Sequence, residues 1–318
     1  MKAVTSIAFA SLVLAFWPRA ACAWDSPGHE QIADIAWTML DSKTKTEIEV
    51  ILKHGDPKFA PADGTGEANR DAFRLASTFP DYIKFNHDTI YESLIGPMNE
   101  HWPQQPGDPE GVRCKTWHYF DTPIRYHGQK PGVRPSNALV ALPYAIQQLK
   151  NLERSPAPDR QAQAWWLYWI EHLVGDLHQP LHCVTSYEFG PDGDAGGNKF
   201  PIQDVSKRLH AYWDEGIDHA ALDDHGSDES PAGIEHLTAA WLGDHALRPS
   251  KSASTDLNPA DWVKAGAKLA DTVVYTGINR NEAPSSTYRQ AQTRLCRLQA
   301  ILAGYRLAAV LNKLFGSH

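Results

Sequence analysis

Trp169-Ile-Glu-His-Leu-Val-Gly-Asp-Leu-His-Gln-Pro-Leu-His182 gathers His172, Asp176, His178 and His182 into eleven residues behind an aromatic, apolar run that includes Trp165 and Trp166. The apolar spacing from Ala162 to Asp176 is helical. His172 and Asp176 stand four residues apart, so on a helix both side chains leave the same face and can share one ion. Pro180 has no backbone donor and cannot continue the helix, so His182 departs on a bent segment, within reach of a second ion.

Working outward, Leu209-His-Ala-Tyr-Trp-Asp-Glu215 repeats the pairing with His210 and Asp214. Two such pairs in one chain point to metal ligation rather than to surface histidines. Asp81 follows Phe79-Pro80 and by itself reads as a cap or turn residue. His118 lies among large aromatics in Lys115-Thr-Trp-His-Tyr-Phe120, read as an extended or buried turn, and by itself it reads equally well as a core histidine. His29 opens an amphipathic helix over Gly28 to Leu40. Tyr187 to Phe200 contains Gly190, Gly193, Gly196 and Gly197, a loop whose backbone can approach a ligand closely.

The remaining pattern is helical as well, over Thr46–Leu52, Arg70–Thr78, Val133–Arg154 and a long amphipathic stretch from Ser286 to Phe315. Residues 56–70 and 87–109 read as irregular, and 223–258 as a polar connection with some helix around Ile234 to Leu242. Strands are few and no fixed repeat or glycine-rich phosphate loop is present, so the expectation is an all-α, single helical domain over residues 24–318.

Residues 1–23 carry Lys2, an apolar run from Ala8 to Trp17, and Ala21 and Ala23 before Trp24, which describes a signal peptide cleaved before Trp24. Lipidation of Cys22 is the rival, with Arg19 then standing where an aliphatic residue is usual. A secreted or periplasmic protein without a membrane anchor follows. Removing residues 1–23 takes away Lys2 and Arg19 and no acid, moving the formal charge from −8 to −10. An acidic chain is a poor generic nucleic-acid binder, so a phosphate substrate would have to be held by bound cations. Cys114, Cys183 and Cys296 remain after cleavage. One disulfide and one thiol is the simplest arrangement for them, with the connectivity open. None has Cys-x-x-Cys spacing, so histidines and acids are the ligand stock.

Taken in order, Trp24-Asp-Ser-Pro-Gly-His29, Phe79-Pro-Asp81, Trp117-His-Tyr-Phe-Asp121, the central motif, Gly196-Gly-Asn198 and Leu209-His-Ala-Tyr-Trp-Asp214 resemble the secreted zinc-dependent single-strand-specific nucleases, the nuclease S-one/P-one type. The resemblance spans nearly the whole mature chain. It implies a helical fold shared with zinc-dependent phospholipase C, and three Zn²⁺ ions. One zinc would be held by Asp81, His118, His172 and Asp176. A second, bridged through Asp176, would take His29 with the α-amino group and carbonyl of Trp24. The third would take His182, His210 and Asp214.

A free terminal amine exists only after cleavage, so the uncleaved precursor should lack the Trp24 site. The activity implied is endonucleolytic hydrolysis of single-stranded DNA and RNA to 5′-phosphorylated products, with 3′-nucleotidase activity, by a monomer. Asp81, Lys84 and Asp176 would act in catalysis, Lys84 neutralising the phosphate. Tyr119 would stack on a base, while Asp121 and Asn198 would recognise it. Ala195 stands where relatives can carry a larger apolar residue. His178 and Cys183 match no ligand position, and His178 is expected behind the ligands or at the surface. His54, His87, His101, His127, His219 and His225 are read as surface residues.

A zinc-dependent phospholipase C is the nearest rival, but it is expected to carry glutamate where Asp214 stands and has no use for a base pocket. A non-catalytic zinc-binding protein would be expected to close its coordination shells, whereas this ligand count leaves positions open.

Overall fold

The computed structural model describes residues 24–85, 114–225 and 228–316. In chain order the helices are α1 (Ser26–Met39), α2 (Ser42–Leu52), α3 (Gly66–Ala76), α4 (Phe79–Phe85), α5 (Ala138–Glu153), α6 (Arg160–Asp176), α7 (Leu209–Asp214), α8 (Gly216–His225), α9 (Pro231–Gly243), α10 (Lys251–Thr255), α11 (Pro259–Leu269) and α12 (Ser286–Phe315). Short 3-10 turns cover Lys115–His118 and Pro180–Cys183. A parallel pair of three-residue strands, β1 (Thr122–Ile124) and β2 (Val184–Ser186), completes an otherwise all-α fold. No helix of the described residues is long and apolar enough to cross a membrane.

Every residue of α6 from Ala162 to Asp176 is buried. A helix buried on all faces belongs inside a core, and α6 serves as its axis, with α1, α2, α4, α5 and α12 packed around it. Trp165, Trp166, Tyr168 and Trp169 supply the bulk, each aromatic contributing roughly 1.5–3 kcal/mol by burial. Asp159 caps the N-terminus by accepting from the Ala162 amide at 3.0 Å. Buried Asp34 ties α1 to α3 through Arg70 at 2.7 and 2.8 Å and Arg74 at 3.1 Å.

Helix starts differ from the sequence reading where a cap decides them. The segment expected from Val133 begins at Ala138, because Asn137 accepts from the Leu139 and Val140 amides at 3.0 and 3.3 Å. Thr65 and Asp41 likewise start α3 and α2 four residues before the expected points. Asp81 lies within α4 rather than in a turn. The 223–258 connection carries α9 and α10, and α11 was not anticipated. Its extension is a π-helical turn over Ala270–Val274. The expected disulfide is not formed among the described residues, where Cys114, Cys183 and Cys296 are buried and none is bonded to another. They sit on separate elements, and Cys296 faces Gly216 across α12 and α8. Burial pushes the Cys183 and Cys296 thiols well above the ordinary range. Residues 1–23 and the segment 87–109, for which the sequence reading expects irregular structure, lie outside the described residues.

At the crossing of α1 and α12, a Cβ on Gly304 would lie 2.4 Å from Ile35 Cγ2 and 3.2 Å from the Ile32 carbonyl oxygen. Gly304→Ala should therefore destabilise the protein by about 1–3 kcal/mol, although alanine is the better helix former, because overpacking outweighs propensity. A lowered denaturant midpoint at unchanged slope checks this.

Candidate metal centre

Asp176, at the C-terminal end of α6, is fully buried, and its two oxygens have different imidazole partners. Oδ1 is 3.3 Å from His29 Nε2 of α1. Oδ2 is 3.1 Å from His118 Nδ1 and 3.3 Å from His172 Nε2. The same two imidazole nitrogens lie 3.7 and 3.8 Å from Asp81 Oδ1 of α4. The α1, α4 and α6 packing and the 3-10 turn Lys115–His118 thus bring His29, Asp81, His118, His172 and Asp176 together.

His182, His210 and Asp214 form a second cluster, with ligand atoms within 4.8 Å of one another. The His182 and His210 rings stack with centroids 5.0 Å apart. Gln179 donates to Asp214 Oδ1 at 2.6 Å, and Asp214 Oδ2 is 3.6 Å from His210 Nε2.

Tautomers follow from the hydrogen bonds. A carbonyl oxygen can only accept, so His172 Nδ1 donates to Ser77 (2.8 Å), His182 Nδ1 to His118 (2.7 Å) and His210 Nδ1 to Gly196 (2.6 Å). Each of these rings therefore presents an Nε2 lone pair to its cluster, the orientation a metal-binding histidine needs. His118 Nδ1 and His172 Nε2 are only 2.9 Å apart beside a carboxylate oxygen, a spacing that requires a proton or a cation among them. Neutral imidazoles and carboxylates in a low-dielectric interior suit borderline divalent cations such as zinc. The donor set fits the ion implied by the sequence.

Trp24 is fully buried. Its indole donates to the Gly175 carbonyl at 3.0 Å, next to Asp176, and the Asp25 amide donates to the Asp214 carbonyl at 3.2 Å. Glu171 is buried beside His172 in the chain, and burial raises its carboxyl well above the usual range.

His178 is held away from both clusters and is buried, not at the surface. Its Nδ1 donates to Val174 at 2.7 Å, and Arg306 Nη1 donates to its Nε2 at 2.8 Å. Burial, together with the Arg306 charge, pushes it down to about 3, which keeps it neutral. Of the histidines read as surface residues, His54 and His127 are exposed, while His219 is half-buried against Tyr212 and Gln292. His87, His101 and the His225 side chain lie outside the described residues.

Lys84 lies on α4 three residues past Asp81, but its side chain is outside the described part. Asp121 and Tyr119 flank the pairing of the Phe120 amide with the His182 carbonyl, at 2.8 Å. Asp121 is half-buried, which raises its carboxyl, while the Thr185 hydroxyl at 2.5 Å and Arg134 lower it. Asn198 leaves the glycine loop with its Nδ2 donating to Ala195 at 3.0 Å, and Arg208 approaches its Oδ1 at 3.5 Å. Sequence reasoning missed Arg134, Thr185 and Asp194, whose partners come from other elements. Only Asp194, two residues before the Gly196-Gly197 pair, carried a local signal.

The family model described as S1/P1 nuclease matches residues 24–316. The chain is similar to Endonuclease 4 of Arabidopsis thaliana, 26% identical over 318 residues that cover 96% of this chain and 94% of that protein. It is 29% identical to Endonuclease 5 of Arabidopsis thaliana over 323 residues, with 96% and 95% covered. It is also similar to Nuclease S1 of Aspergillus oryzae, at 23% identity over 331 residues and 98% of each chain.

Proposed function

We propose, since this chain belongs to the S1/P1 nuclease family and is thus a nuclease acting on phosphodiester bonds, that it is a zinc-dependent endonuclease of single-stranded DNA and RNA. Release of 5′-phosphorylated products and 3′-nucleotidase activity belong to the same proposal, as does one nuclease domain over residues 24–318, exported and cleaved before Trp24. The observation that carries the reading is Asp176, whose Oδ1 faces His29 while its Oδ2 faces His118 and His172.

Asp81, His118, His172 and Asp176 would hold one ion. Asp176, His29 and the Trp24 amine and carbonyl would hold a second, and His182, His210 and Asp214 a third. Bound zinc supplies Lewis acidity, lowering the pKa of water and offsetting charge that develops on the phosphoryl oxygens. The chain's own contribution is orientation. Backbone acceptors fix three imidazoles with Nε2 inward, and Asp176 joins the two sets within one rigid helix end.

Lys84 is assigned to neutralising phosphate as a compact point charge. Tyr119 is assigned to stacking on a base, and Asp121 and Asn198 to its polar edge. Such recognition needs a base splayed out of any duplex, and stacking is worth about 1–3 kcal/mol per base. The preference for unpaired strands follows from that geometry.

Incubation with single-stranded DNA, RNA, duplex DNA and phosphatidylcholine vesicles tests the proposal. Single strands should be cut at least roughly tenfold faster than duplex of the same sequence, in line with that stacking contribution. Chelation should abolish cutting, and zinc should restore it. Lipid turnover without nucleotide release, or full activity in excess chelator, would overturn the reading.

A further inference from the structure

The Gly196 carbonyl sets the His210 ring, because Nδ1 donates to it at 2.6 Å. It belongs to a turn in which Gly193, Ala195, Gly196 and Gly197 all have positive φ, at 63°, 52°, 61° and 82°. A side chain at Gly196 would place Cβ 2.4 Å from the Leu181 carbonyl oxygen. Backbone held in such a sparsely populated region persists only when its surroundings over-determine it.

Asp194 supplies that determination. Its amide donates to the Ser186 carbonyl at 2.9 Å, and its carbonyl accepts from the Lys199 amide at 2.9 Å, so Gly196 and Asn198 are enclosed between its own bonds. Its side chain is buried, with Oδ1 accepting from the Ser186 amide at 2.9 Å and Oδ2 from the Tyr275 hydroxyl at 2.6 Å. Tyr275 comes from a distant part of the chain, where the π-helical turn ends. Its amide bonds back to Ala270 at 3.0 Å across five residues, and its ring packs against Phe200 with centroids 5.9 Å apart. An inserted residue of this kind turns a side chain out of ordinary helical register and is often found at functional sites.

We propose that Tyr275 and Asp194 form a positioning pair, in which one buried hydrogen bond holds the Gly196 carbonyl against His210 and Asn198 in its place at the same time. Metal retention by the His182, His210 and Asp214 cluster and recognition of the substrate base then share one supporting contact that touches neither. This rests on the zinc-nuclease reading for the roles of His210 and Asn198.

Tyr275→Phe in the mature chain is the test, since it removes the hydroxyl and leaves Asp194 Oδ2 buried without its donor. Zinc content is measured after equilibration against graded dipicolinate, and kcat and KM against a single-stranded oligonucleotide. One ion should be lost at a chelator concentration roughly tenfold or more below that for the wild type, with a raised KM for the oligonucleotide. Asp194→Asn should reproduce both effects, and the double variant should be no worse than the poorer single one.

A folded Tyr275→Phe that keeps every ion at the wild-type chelator concentration, with wild-type kcat and KM, overturns the pairing even if its unfolding midpoint falls. If Tyr275→Phe does not fold, Asp194→Asn decides on the same readouts. A wild-type protein that binds no zinc and cuts no oligonucleotide would bring down the functional reading as well, which separates the two failures.

Discussion

Asp176→Asn is expected to lower phosphodiester hydrolysis by roughly three orders of magnitude or more and to cost at least one bound zinc, because the charge stabilisation a catalytic metal provides amounts to several kcal/mol. Asparagine keeps the size of the side chain at a fully buried position, so the helix end should keep its packing. It replaces one carboxylate oxygen by an amide NH2 group, which can only donate. Whichever way that amide turns, it faces an imidazole nitrogen about as near as the 3.3 Å to His29 or the 3.1 and 3.3 Å to His118 and His172. Metal analysis alongside kinetics reads both effects. A variant with full activity and a full complement of ions would refute the bridging role.

Extending the chain by two residues before Trp24 should be nearly as damaging, with one ion lost and activity down by roughly 10²–10³-fold. An amide nitrogen shares its lone pair with its carbonyl and cannot bind a metal as a free amine does. There is also little room, since Trp24 is fully buried, its indole fixed to Gly175 and the next amide fixed to Asp214. Zinc stoichiometry and turnover of the extended and native forms, compared after N-terminal sequencing, check this. An unaffected extended form would eliminate the terminal amine as a ligand.

Much of the site was legible because its residues repeat a helical spacing. His172 with Asp176 and His210 with Asp214 are separated by one turn, so local geometry alone puts each pair on one face. Asp81 and His118 were different. Nothing within a few residues of either distinguishes a ligand from a turn residue or a core histidine, and only α4 packing on α6 and the Lys115–His118 turn bring them to Asp176. The disulfide expectation failed for a related reason. Counting cysteines gives no information about distance, and the three thiols are buried on separate elements. His178 sits in the middle of the ligand motif, yet the fold turns it toward Arg306, 128 residues away in the chain.

Local sequence alone specified the helical class, the bounds of the C-terminal helix, the two i,i+4 His–Asp pairs and the ordered motif that marks the family. These depend on periodicities of a few residues, which the backbone imposes whatever lies around it. Tertiary structure decided how Asp176 divides its oxygens, which imidazole nitrogen faces inward, that the thiols stay apart, and that Tyr275 reaches Asp194. Each of those is a contact between segments tens to more than a hundred residues apart, set by how the buried faces of α1, α4, α6 and α12 pack, and no local pattern encodes it.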